Sequence, residues 1–77
     1  MDFFGFQEWL QTEKNMSVRS AHDVISRLKR VLLITDEETI TEKSTEKLNA
    51  SNSFSDFSMF IKSQLRRSIS LYLEYRR

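Results

Sequence analysis

A chain of 77 residues with a net charge of +1, one Gly, no Pro and no Cys has room for a single hydrophobic core, which at this size buries only about 60% of the unfolded surface. Disulfides and thiolate metal sites are excluded, and the near absence of Gly and Pro disfavours a sheet built on tight turns. The longest aliphatic run, Val31-Leu32-Leu33-Ile34, is too short to span a bilayer and the Met-Asp-Phe-Phe start lacks a basic signal region, so the expectation is one cytoplasmic domain over 1–77, with no membrane partner.

From Asp2 to Lys14, Phe3, Phe6, Trp9 and Leu10 recur on one face of a predicted helix, with Asp2 as its cap. Gly5 falls in the first turn or two, where it costs about 1 kcal/mol relative to Ala. Either the helix starts after it or a neighbour packs closely there. Asn15 and Met16 read as a connection, and Ser17 or Ser20 caps a second helix that runs to Leu33 or Ile34. Its apolar face holds Ala21, Val24, Ile25, Leu28, Val31 and Leu32. Its other face stacks Arg19, Ser26 and Arg30, with His22, Arg27 and Lys29 alongside and Asp23 as the single acid.

Asp36 or Thr41 then starts a short third helix, mostly solvated, whose apolar content is only Ile40, Leu48 and Ala50. Asn49 to Ser58 reads as a loop pinned by Phe54 and Phe57. Ser55 or Ser58 caps a final long helix to about Tyr75. Ile61, Leu65, Ile69, Tyr72 and Tyr75 form its inner face, helped by Phe60 and Leu71, while Tyr75 is expected to be partly exposed. Lys62, Ser63, Arg66, Arg67 and Ser70 point outward. The sum is an all-α fold, a small antiparallel bundle of about four helices without a sheet.

The chain has one His, no Cys and no Gly-rich phosphate loop, and its acids show no metal-site spacing, so no active site, metal or cofactor is expected. The chemistry lies in two basic blocks. Lys14 to Arg30 carries five cations against Asp23, and Lys62 to Arg77 carries five against Glu74, while Asp36 to Glu46 is acidic. Arg and Lys neutralise phosphates, Arg reaches guanine edges, and the interleaved Ser hydroxyls donate to phosphate oxygens. The same residues also suit a plain solvated surface, with Asp23 and Arg27 as an ordinary i,i+4 pair. Trp9, Phe6 and Tyr72 are assigned to the core, since so small a chain needs their area there.

Phe6-x-x-Trp9-Leu10, then Ser17-x-x-Ser20-Ala21 opening a helix that continues Ile25-Ser26-Arg27-Leu28, then Lys62-Ser63-Gln64-Leu65-Arg66-Arg67-Ser68 leading to Leu71-Tyr72 and Glu74-Tyr75, form an ordered series. In order and spacing it resembles the core-binding domain, the SAM-like N-terminal domain of tyrosine recombinases and phage integrases. The resemblance implies a bundle lying on one side of duplex DNA while a following catalytic domain closes the other side. It implies that the second and fourth helices face the DNA. By position, Arg19, His22, Ser26, Lys29 and Arg30 on the second helix, and Lys62, Ser63, Arg66, Arg67 and Ser70 on the fourth, become the DNA-facing residues.

The catalytic residues of that family belong to the following domain, and among them is a His-x-x-Arg pair. His22 has Ile25 three residues on and is not part of such a pair. The expectation is therefore a non-catalytic piece of a DNA-recombination or DNA-integration protein. Its partners would be double-stranded DNA and a catalytic domain of the parent chain, with no small-molecule ligand. The alternative is a helical protein-interaction module that docks through Phe54 to Phe60 or the flank of the last helix.

Overall fold

In a computed structural model that describes residues 1–77, five helices follow one another: α1 (Phe3–Thr12), α2 (Val18–Thr35), α3 (Ser44–Asn49), α4 (Asn52–Ser55) and α5 (Met59–Arg76), with no strand. The all-α bundle is as expected. Local chemistry starts its three longer helices. Asp2 accepts the Gly5 N–H at 2.9 Å, Ser17 accepts that of Ser20 at 3.1 Å, and Ser58 accepts that of Ile61 at 3.2 Å. Each cap satisfies a backbone donor that the first helical turn leaves without a partner.

The core is built on α2 and α5, which run back along each other. Leu28 and Val31 of α2 are fully buried, as are Phe6 and Leu10 of α1, and Leu65 and Ile69 of α5 are nearly so. Burying a side chain of this size stabilises by about 1.5–3 kcal/mol. α1 closes the bundle through aromatic contacts: Phe6 meets Tyr72 edge-on at 5.1 Å, and Trp9 meets Tyr75 at 5.6 Å. Tyr75 is half-buried, and its hydroxyl donates to Asp2 Oδ2 at 2.8 Å, which ties the two ends of the chain together. The Gly5 N–H, helped by Tyr75, holds the Asp2 carboxyl below the usual carboxylate range. The same bond raises the Tyr75 hydroxyl above its ordinary value.

Gly5 lies inside α1, so the second of its two explanations applies. A Cβ there would press on the Asp2 carboxylate and come 2.5 Å from Tyr75 Oη. The hydrogen-bonded corner needs the space that only a missing side chain leaves.

The third segment is mostly solvated, as expected, but Ile40, Ser44 and Leu48 within it are fully buried. Three expectations need correction. First, neither Asp36 nor Thr41 caps α3: Asp36, with φ at 55°, is the left-handed cap that ends α2, and the residue before α3 is Lys43. Thr41 holds the turn leading into α3, where its hydroxyl accepts the Lys43 N–H at 3.2 Å. Ser44 Oγ accepts the Thr41 N–H at 2.9 Å and donates to Glu37 Oε1 at 3.0 Å, while Lys47 donates to Glu37 Oε2 at 2.9 Å. These partners, Lys47 foremost, hold the Glu37 carboxyl below its usual range.

The second correction concerns the expected aromatic loop, which contains the helical turn α4. Burial of Phe54, only 3% exposed and edge-on to Phe57 at 6.3 Å, orders that turn. The fourth helix of the sequence reading is therefore α5. Third, Phe60 does not help the core: it is 69% exposed, and Ile61 takes the half-buried position beside it.

Candidate nucleic-acid interface

α2 and α5 present their cations to three neighbouring places, and seven of the ten expected residues divide among them. His22, Ser26 and Lys29 line a groove with Phe3, Phe4 and Gln7 of α1. Lys29 there stands 5.1 Å over the Phe3 ring. This is the α1 flank of α2, turned away from α5.

A second group surrounds the α4 turn. The Arg30 guanidinium lies 4.6 Å over the Phe57 ring, and Lys62 and Arg66 lie 5.6 Å and 5.2 Å from the Phe54 ring centre. Because Phe54 and Phe57 touch each other, one buried aromatic pair gathers cations from both long helices. Such cation–ring contacts are worth about 0.5–1 kcal/mol at exposed sites, and they hold flexible side chains in place. Arg66 is fixed further, since its Nε and Nη2 donate to Asn49 Oδ1 at 3.2 Å and 3.1 Å.

Between α2 and α5 lies the third place, a groove of about 360 Å³ lined by Ser20, Asp23 and Arg27 on one side and Gln64 and Arg67 on the other. Arg67 is one of the expected residues. Arg27 is not among them; on a plain solvated surface it would form an i,i+4 ion pair with Asp23. That pair does not form: the chain's two salt bridges are Lys14 to Glu74 at 2.6 Å and Lys47 to Glu37 at 2.9 Å. Arg27 thus joins the set. Its position one turn before Arg30 on the α5 side of α2 was the signal for it. Arg19, Ser63 and Ser70 are exposed on the outer faces without a hydrogen-bond partner.

The structure therefore places Arg27 and Arg67 in the α2/α5 groove and Arg30, Lys62 and Arg66 around the Phe54–Phe57 pair, with no carboxylate within ion-pair distance of any of them. It leaves His22, Ser26 and Lys29 on another flank. Chemically the arrangement can neutralise several phosphates in a row and offers Gln64 and Ser20 as neutral donors. No group of three or more His, Asp or Glu side chains is placed to hold a metal ion, and no helix is long and apolar enough to cross a membrane. No family model, no curated protein and no solved structure matches the chain.

Proposed function

We propose that this chain is a non-catalytic DNA-binding domain of the core-binding type, which grips the phosphates of a duplex through α2 and α5 and positions it for a catalytic domain of the parent protein. One observation carries the reading: α2 and α5 supply five cations, two in the groove between them and three around the Phe54–Phe57 pair, and none is ion-paired. A merely solvated surface mixes its charges, whereas here the acids lie mostly at the α1 end and along 36–46. Such a module binds mainly by phosphate neutralisation, at about 10⁻⁴ to 10⁻⁶ M at physiological salt.

The test is an amide NMR titration of the labelled chain with a short duplex at low and moderate salt. Shifts concentrated on 27–30 and 62–67 that fade as salt rises support the reading. Spectra unchanged even at low salt overturn it. A protein-interaction module remains the second reading because Phe4 and Leu33, 81% and 82% exposed, border neighbouring grooves with Phe3 and Lys29. Sedimentation that depends on concentration, with no response to DNA, would favour it.

A further inference from the structure

Phe54 and Phe57 are covered by the cations around them, but Phe60, 69% exposed in the first turn of α5, is not. A large aromatic ring left in water forgoes the stabilisation of burial, so its surroundings bear on what it meets. Helical spacing sets Phe60, Gln64 and Arg67 on one edge of α5, at i, i+4 and i+7. Gln64 and Arg67 line the α2/α5 groove with Arg27, and Arg30, one turn on from Arg27, covers Phe57 beside the start of α5. Phe60 therefore stands at the mouth of a cationic groove. At 1.5 Å of rise per residue it lies about 10 Å from Arg67, the scale on which a base and the phosphates of its own strand are separated.

We propose that Phe60 is a stacking platform for an unpaired base, with Arg27 and Arg67 holding phosphates of the same strand. The proposal rests on the DNA reading and goes beyond it, because the preferred ligand becomes DNA with an unpaired nucleotide and not a closed duplex. Every base has a face to stack, so the preference is for exposed bases of any kind. Asp23, the one carboxylate lining the groove, sits two turns of α2 before Arg30. It is also one turn before Arg27, so it lowers the positive charge at the Ser20 end of the groove and leaves the Phe60 end the more cationic.

The experiment compares a closed duplex with the same duplex carrying a single bulged 2-aminopurine, using the wild-type chain, Phe60→Ala and Phe60→Trp. The wild type is expected to bind the bulged duplex about 5- to 100-fold more tightly and to quench the 2-aminopurine fluorescence. Phe60→Ala should remove both the preference and the quenching while leaving closed-duplex affinity within about twofold, and Phe60→Trp should keep both. Because Phe60 is exposed, each variant should retain the wild-type melting temperature. Equal binding of both duplexes by the wild type, or a preference that survives Phe60→Ala, overturns the platform and leaves duplex binding standing. Wild-type self-association abolished by Phe60→Ala assigns the ring to a second copy and also overturns it. Binding to neither duplex at low salt overturns the DNA reading itself.

Discussion

Ser44→Ala separates a buried, bonded Ser44 from one on the solvated side of α3. On a solvated helix the change gains a few tenths of a kcal/mol, because Ala is the better helix former. In the structure Ser44 is fully buried and its hydroxyl serves two partners, accepting from Thr41 N–H at 2.9 Å and donating to Glu37 Oε1 at 3.0 Å. A neutral hydrogen bond contributes about 1 kcal/mol and one to a charged group about 1.5–3 kcal/mol. Glu37 keeps Lys47, and water reaches the exposed Thr41. The net loss is then about 2 kcal/mol. For a domain of this size that lowers the melting temperature by roughly 8–16 °C.

Thermal melts followed by circular dichroism at pH 7, with urea titrations as a second measure, would read this loss. A double-mutant cycle with Glu37→Ala should give a coupling of about 1 kcal/mol or more, since both variants remove the same bond. A melting temperature unchanged or raised in Ser44→Ala would refute the buried network.

Gly5→Ala should lower the melting temperature despite the better helix propensity of Ala, because its methyl displaces the Asp2 carboxylate from Gly5 N–H and Tyr75; in an Asp2→Ala background the same change should become neutral or stabilising in the same melt. Leu28→Ala, at a fully buried position central to α2, should cost about 2–5 kcal/mol in urea unfolding. Glu37 and Asp2 both have carboxyls held low in the folded state, so their contributions are present above the ordinary carboxylate range and are lost as pH falls through the lowered values. Glu37→Gln should therefore flatten the acid limb of a stability profile below about pH 4.5. Arg67→Ala should weaken DNA binding at unchanged melting temperature, whereas Arg66→Ala should weaken binding and also lower the melting temperature, because Arg66 ties α5 to Asn49 and covers Phe54.

What could be read from the sequence was local. Asp2, Ser17 and Ser58 cap their helices through bonds to residues three positions on, and the apolar stripe of α2 marks its buried side by spacing alone. Long-range partners were not legible. Ile40 and Leu48 look too sparse to anchor anything until α3 packs on the bundle, and Ser44 looks like any surface serine until Glu37 reaches it from seven residues earlier. Asp36 resembled a start signal because Asp caps helices, yet Asp also tolerates the left-handed backbone that ends them.

The candidate site divided for a similar reason. The polar face of α2 is wider than the surface it shares with α5, so His22, Ser26 and Lys29 lie on the α1 side while Arg27 lies in the groove. On α5 the inner face is bounded by Phe60 and Ile61, adjacent positions about 100° apart around a helix. Only packing could decide which of them turned inward.

The most direct test of duplex binding through the α2/α5 cations is the salt dependence of affinity for a short duplex, in the wild type and in Arg67→Ala. If Arg27, Arg30, Lys62, Arg66 and Arg67 each neutralise one phosphate, the slope of log K against log salt is about −4.5, and the variant is shallower by about 0.9. A slope near zero, or one that Arg67→Ala leaves unchanged, would contradict the assignment of this surface to DNA.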